Sequence, residues 1–116
     1  MSAAPIVFFD IAGPDLASQS AFYAGVFGWE VAAGGNVTVP SHAQLSGLLR
    51  VDPMEKVLYI GVDDIAVTLG EVVRLGGQVV APRFEVPGVV VLGLFTDPAG
   101  NRMGLVEMDG ETSKVP

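Results

Sequence analysis

The chain has 116 residues, half of them hydrophobic, and a formal net charge of −7 from 6 basic and 13 acidic side chains. This length fits one domain or a compact pair of half-domains. The negative charge, without any basic cluster, disfavours nucleic acid and anionic membrane surfaces as partners. The absence of cysteine excludes disulfides, thiolate metal sites and a cysteine nucleophile.

The first half of the sequence predicts a strand, a helix and three short strands. An apolar strand over residues 5–12 leads to Asp15, a residue type that caps helix N-termini, and a helix follows over 15–27. This helix ends at Gly28, as a left-handed C-cap favours. Its expected buried stripe consists of Leu16, Phe22, Tyr23, Val26 and Phe27. Strands are then predicted over 29–33, 36–40 and 43–51.

The second half repeats this pattern at an offset of 49 residues, which aligns Asp15 with Asp64. A strand over 56–62 precedes a helix over 64–75 that ends at Gly76-Gly77. The apolar residues of this helix follow helical spacing and predict a buried stripe of Ile65, Leu69, Val72 and Val73. Three strands are predicted after it, over 78–86, 89–96 and 102–108.

Each half therefore reads β-α-β-β-β, and internal repetition at this scale is typical of supersecondary units that share a core. We predict an α+β fold in one domain over residues 1–116. Its two modules, over about 5–52 and 56–108, would form curved mixed sheets around a cleft. Residues 109–116 are predicted to form a C-terminal tail.

Four segments resemble the glyoxalase/bleomycin-resistance/extradiol-dioxygenase superfamily, also called the vicinal oxygen chelate proteins. They are the opening strand with its Asp-Leu, FYAGVFGW at 22–29, VDDI at 62–65 and DPAGNRMGLVE at 97–107. The resemblance covers roughly residues 5–108 and is strongest to a metal-poor, glyoxalase-like branch whose biochemical function is rarely known. It implies a cleft in which metal-dependent members hold a divalent ion, with His and Glu ligands from the first and last strands of each half.

The expected ligand positions lack metal-binding side chains in this sequence. They fall on Phe8, Val57 and Gly104, and a fourth lies near 46–48, where the sequence leaves the register open. The only histidine, His42, lies in a Pro-Ser-His-Ala segment that predicts a surface loop rather than a catalytic base. We therefore expect no metal and no other cofactor.

Strand alternation selects the side chains that would face the cleft. Asp10, Tyr59 and Arg102 would be polar contacts in an otherwise apolar pocket, as small-molecule sites usually have. Alternatively, Asp10 lies at a strand end in water or pairs with Arg102, Tyr59 packs, and Arg102 is a solvated charge. Gly104, standing where a ligating carboxylate would be, is expected to enlarge the cleft floor. The candidate ligand-binding residues are Phe8, Asp10, Val57, Tyr59, Arg102 and Gly104.

These features predict a glyoxalase-like protein that binds a small, partly apolar molecule without a metal. One alternative is a metal-independent enzyme that uses Asp10 or Tyr59 on a small carbonyl or phenolic compound. Another is a metal-dependent lyase or dioxygenase, which the ligand positions disfavour. No catalytic residue is assigned, and whether a reaction is catalysed stays open.

The expected assembly and location follow from the resemblance and from simple patterns. The resemblance, together with exposed sheet edges and many apolar strand residues, predicts a homodimer. The N-terminus lacks the pattern of a signal peptide, and the longest apolar run is too short to span a bilayer, so a cytoplasmic protein is expected.

Overall fold

A computed structural model describes residues 3–39 and 45–116 of the chain. These residues fold as two compact units. The first unit is Phe8–Leu58, and the second is Tyr59–Pro116 together with the N-terminal residues through Val7. The strands and helices follow one another in the predicted β-α-β-β-β order, which confirms the α+β fold. Within the described ranges, no helix is long and apolar enough to cross a membrane.

The first unit contains one helix and a sheet of short strands. In chain order, the elements are β1 (Ile6–Gly13), α1 (Leu16–Phe27), β2 (Glu30–Val31), β3 (Asn36–Val39) and β4 (Leu45–Val51). The strands lie in the order β2-β3-β4-β1, and β1 runs parallel to β4 while β3 is antiparallel to it. The parallel pair is possible because α1 and two short strands connect β1 to β4.

The ends of α1 lie where the sequence places them. The carboxylate of Asp15 accepts a hydrogen bond from the Ser18 amide at 3.2 Å, and Gly28 ends the helix with φ of 69°. The side-chain oxygen of an N-cap residue satisfies an amide that has no partner within the helix. A positive φ at the end of a helix favours glycine.

The predicted buried stripe of α1 is wrong at Phe22, Val26 and Phe27, whereas Leu16 and Tyr23 are half-buried. None of its residues is buried, and Phe22, Val26 and Phe27 are 55, 59 and 59% exposed. The half-buried side is Leu16, Gln19, Ser20 and Tyr23, spaced as one helical face. Apolar residues occur all around this helix, so hydrophobicity alone does not select the side that faces the sheet.

The second unit has its own sheet and helix. Its elements are β5 (Glu55–Val62, which begins in the first unit), α2 (Ile65–Arg74), β6 (Gln78–Val86), β7 (Val90–Thr96), β8 (Arg102–Asp109) and β9 (Thr112–Ser113). The order is β5-β8-β7-β6, with β5 parallel to β8. The predicted C-terminal tail contains the short strand β9, which pairs with β8.

Helix α2 packs on one face of this sheet. Its N-cap is Asp64, whose carboxylate accepts a hydrogen bond from the Val67 amide at 3.1 Å. Ile65 and Leu69 are buried as predicted, whereas Val73 lies outside the stripe and is 56% exposed. The buried core of this unit is Ile65, Leu69, Val91 and Leu105.

Candidate functional site

Gly104 leaves room for an aromatic ring. It lies in β8, where it pairs with Tyr59 of β5 and Leu94 of β7. A β-carbon added to Gly104 would overlap the ring of Tyr59. The expected enlargement of a cleft floor at Gly104 is therefore wrong, because the ring of Tyr59 already occupies this space.

The positions that would ligate a divalent ion do not fit one. Phe8 pairs with Ser46 of β4, which settles the register that the sequence leaves open. Phe8, Val57 and Gly104 offer no ligand atom, and Ser46 offers an exposed hydroxyl. Within residues 3–39 and 45–116, no three His, Cys, Asp or Glu side chains are placed so that they could hold a metal ion together. His42 lies outside the described residues.

Asp10 is buried beside an arginine. It is 3% exposed, and its Oδ2 lies 3.3 Å from Nε of Arg50, so the alternative of a carboxylate in water is wrong. Arg50 also contacts Asp52 at 2.8 Å and Glu55 at 2.5 Å. Burial opposes the charge of Arg50, but its hydrogen bonds to Glu55 and Asp52 and the nearby Asp10 raise its pKa above the ordinary value. The guanidinium therefore stays charged and holds the Asp10 carboxylate in place.

The first unit contains a pocket of about 300 Å³ with an aromatic and aliphatic wall. Asp10 and Val57 border it, so two residues of the predicted set meet here, and Lys56 contributes to the same wall. Phe8 does not line this pocket. The apolar lining consists of Phe9, Ile11, Trp29, Val39, Leu45 and Leu58.

Trp29 is at the centre of an aromatic cluster beside this pocket. Its ring stacks on Tyr23, with centroids 4.9 Å apart and planes at 10°, and lies 5.8 Å from the ring of Phe9. Gly47 permits this arrangement, because a β-carbon there would overlap the ring of Phe9. Offset and tilted aromatic pairs of this kind stabilise one another beyond their buried area.

The sequence pattern does not indicate Phe9, Trp29 and Lys56 as pocket residues. Strand alternation groups Phe8 with Asp10, whereas Phe9 and Ile11 alternate with them along β1. The aromatic run FYAGVFGW was a usable signal, because Tyr23 and Trp29 belong to it. The remaining predicted residues lie in the second unit, where Tyr59 covers Gly104 and Arg102 is an exposed residue of β8 opposite Thr96.

The second unit holds a buried carboxylate, Glu107, that no motif in the sequence indicates. Glu107 is 5% exposed and accepts hydrogen bonds from the Ile65 amide at 3.1 Å and from Nε and Nη2 of Arg83, each at 3.0 Å. The Lys114 ammonium lies 3.4 Å away. The hydrogen bonds from Arg83 lower the pKa of Glu107 to about 2, so the carboxylate is ionised at neutral pH. Its contacts join α2, β6 and the segment after β9, which indicates a structural role.

Two curated relatives are similar to this chain over part of their length. DnrV of Streptomyces peucetius, named as an anthracycline biosynthesis protein, is 28% identical, and the match covers 94% of this chain and 50% of the relative. CFP32 of Mycobacterium tuberculosis, named as a candidate glyoxylase, is 32% identical over 83% of this chain and 42% of its own. The chain thus spans about half the length of the curated relatives it matches.

The fold is shared with solved structures, and a family model matches most of the sequence. A variant of methylmalonyl-CoA epimerase from Streptomyces coelicolor, solved with 2-nitronate-propionyl-CoA, superposes with a TM-score of 0.69 at 15% identity. This match covers 97% of this chain and 99% of the epimerase, and at that identity it shows the fold alone. The model described as the glyoxalase-like domain matches residues 6–106. The chain therefore belongs to the glyoxalase-like domain family.

Proposed function

We propose that this protein binds a small, flat, partly apolar molecule, without a metal ion, in the pocket beside Phe9 and Trp29. The observation that carries the proposal is this pocket, with its aromatic wall and its volume of about 300 Å³. Small-molecule sites are concave, mostly apolar and usually upwards of about 300 Å³. Phe8, Tyr59, Arg102 and Gly104 stay predictions as ligand contacts.

A flat aromatic ligand fits the wall best. Phe9 and Trp29 present rings to the pocket, and aromatic rings prefer stacked or edge-to-face partners. The name of DnrV supports the same class, because anthracyclines are polycyclic aromatic compounds. The whole activity of that longer relative is not carried over, since this chain spans half of its length.

Binding without a metal is supported by the residues at the expected ligand positions. Phe8, Val57 and Gly104 have no donor side chains, and the ring of Tyr59 fills the space at Gly104. Transition-metal sites need several nitrogen, sulfur or carboxylate donors that converge on the ion.

The enzymatic alternative has less support than binding. The carboxylate of Asp10 is engaged by Arg50, and the ring of Tyr59 packs on Gly104, so neither residue is placed as an obvious acid or base. A homodimer and a cytoplasmic location also stay predictions.

The proposal is tested on Trp29, the only tryptophan, whose indole N–H gives one cross-peak in a ¹H–¹⁵N correlation spectrum. We expect 2-naphthamide to shift this peak saturably and to be recovered unchanged by mass spectrometry. Leu58→Gln replaces an apolar side chain of the pocket wall with a polar one, at a position that is 43% exposed. We expect this variant to bind 2-naphthamide about fivefold more weakly. Val73→Gln, 56% exposed on α2 in the second unit, is the matched control and should bind like the native chain.

Two results would count against the proposal. A shift that never saturates, or equal affinity in the Leu58→Gln and Val73→Gln variants, would remove the pocket as the binding site. Conversion of an added naphthyl ketone or naphthol to a product by the metal-free protein would support the enzymatic alternative instead.

A further inference from the structure

We infer that the pocket selects flat apolar carboxylates, and that the ammonium of Lys56 is the group that recognises the charge. This inference rests on the proposed function, because it names the ligand class of the same pocket. It is carried by the pairing of the charged residues and by the position of Lys56 in the wall of the pocket.

Lys56 differs from the other basic residues of the chain. Among the described residues, which include all six lysines and arginines, Lys56 alone has a side chain with no hydrogen bond or ion pair. Four of the others bind carboxylates: Arg50, Arg74, Arg83 and Lys114. The fifth, Arg102, also has an interaction partner. In a chain with 13 acidic side chains, a cation without a protein carboxylate is unusual and available to a ligand.

The acidic residues near Lys56 are directed elsewhere. Lys56 and Leu58, two residues apart in β5, both line the pocket, and Val57 between them also borders it. Glu55, which precedes Lys56 in the chain, binds Arg50. Among the residues that the structure describes, Asp10 is the only carboxylate that borders the pocket, and Arg50 holds it as well.

Helix α1 brings no competing charge to the aromatic wall of the pocket. Helix α1, which supplies Tyr23 beneath Trp29, contains no acidic or basic residue over Leu16–Phe27. The carbon stem of Lys56 forms part of the wall, while its flexible end carries the ammonium into solvent. A lysine commonly arranges itself in this way, with an apolar stem along the surface and a charged head in water. A ligand with an apolar ring system and one carboxylate matches both parts.

The expected selectivity is modest because Lys56 is exposed. Ion pairs in contact with water gain little over solvated charges and are screened by salt. We expect a carboxylate to bind about threefold more tightly than a neutral molecule of the same shape. Added salt should reduce this preference.

The test uses three probes of nearly one shape and three different charges: 2-naphthoate, 2-naphthamide and 2-naphthamidinium. Binding is followed by the indole peak of Trp29. We expect the order naphthoate, naphthamide, naphthamidinium from tightest to weakest. Lys56→Met keeps a side chain of similar length but removes the charge, so naphthoate and naphthamide should bind with equal affinity. Lys56→Arg keeps the charge and should keep the preference for naphthoate. Arg74→Met, which removes the same charge from α2, is the control and should also keep it.

The outcomes separate this inference from the proposed function. If none of the three probes binds, the proposed function fails. If all bind with equal affinity, or naphthamidinium binds most tightly, the pocket stands and the selection of carboxylates is overturned. A preference for naphthoate that persists in Lys56→Met would remove Lys56 as the recognising residue.

Discussion

Two glycines in central strands, Gly47 and Gly104, each face an aromatic ring at the place where a β-carbon would be. The ring is that of Phe9 at Gly47 and that of Tyr59 at Gly104. Glycine in a strand interior normally weakens the strand, and close approach of another group is a common reason for its presence. Here the aromatic side chain on the neighbouring strand packs directly over the glycine backbone.

The packing of Tyr59 on Gly104 should be sensitive to an added methyl group. Gly104→Ala should lower the free energy of unfolding by about 1–3 kcal/mol, because the new methyl group forces the Tyr59 ring out of place. Gly70→Ala, in α2 with no atom near the added carbon, is the control and should be neutral or stabilising. Urea denaturation measures both variants.

A double variant separates overlap with the ring from a general effect of the added methyl group. Tyr59→Leu in the Gly104→Ala background should recover part of the lost stability, because residues in contact do not act independently. Native stability of Gly104→Ala would show that the ring does not depend on the glycine.

At the scale of elements, Glu107 links parts of the second unit that are distant in sequence. Its carboxylate accepts hydrogen bonds from the first residue of α2 and from Arg83 of β6, and it lies near Lys114 after β9. A buried carboxylate is tolerated only with such partners. Removing it leaves the arginine and a helix-start amide without their acceptor.

This network predicts a pH dependence of stability. The pKa of Glu107 is about 2 in the folded protein, compared with an ordinary value of 4.5. The ionised carboxylate therefore stabilises the fold fully above pH 4.5. The contribution is lost as the pH falls from 4.5 towards 2. We expect Glu107→Gln to cost about 2 kcal/mol near neutral pH, and this difference from the native chain should shrink across that range.

Urea denaturation at a series of pH values checks this prediction. Glu85→Gln is the matched control, because Glu85 contacts the same Arg83 at 3.7 Å but is 53% exposed. Its cost should be small at neutral pH. A Glu107→Gln variant with a constant deficit down to pH 2 would contradict the assignment of the low pKa.

Local signals predicted most elements, and long-range contacts were not predictable. The caps at Asp15, Asp64 and Gly28 and the turns around glycine follow from the preferences of neighbouring residues, and the helix bounds agree within one residue. The buried side of α1 was wrong because its apolar residues surround the helix. The pairs Asp10–Arg50 and Arg83–Glu107 join residues 40 and 24 positions apart, so only the folded chain brings them together.

The pocket was only partly predictable for a related reason. Strand alternation correctly groups Phe8 with Asp10 and Phe9 with Ile11, but it does not state which group meets a cavity. That depends on the position of Trp29, which follows the end of α1. The sequence therefore identified Asp10 and Val57 and missed the aromatic wall.

At the scale of the whole molecule, the exposed side of α1 bears on the predicted homodimer. Phe22, Val26 and Phe27 are each more than half exposed on a helix without charge. Contiguous apolar surface of this kind is typical of protein interfaces. Because α1 carries no charge, two copies could meet there without placing like charges together, despite the net charge of −7.

We predict a dimer that a charge on this side weakens. Light scattering at tens of micromolar should give twice the mass of one chain, and Val26→Glu should shift the population towards monomer. Val67→Glu, 65% exposed on α2, is the control for the same substitution and should stay dimeric. A native chain of monomeric mass would contradict the prediction of a homodimer, and a dimeric Val26→Glu variant would place the interface elsewhere.

We propose that this member of the glyoxalase-like domain family binds its ligand without a metal ion. The most direct test is the dissociation constant of 2-naphthoate, measured from the Trp29 indole peak in EDTA and again after adding Zn²⁺, Mn²⁺ or Ni²⁺. The donor-poor positions Phe8, Val57 and Gly104 predict the same saturable affinity in every case. Binding that appears only after one of these metals is added, at about one ion per chain, would show that the ligand site depends on a metal ion.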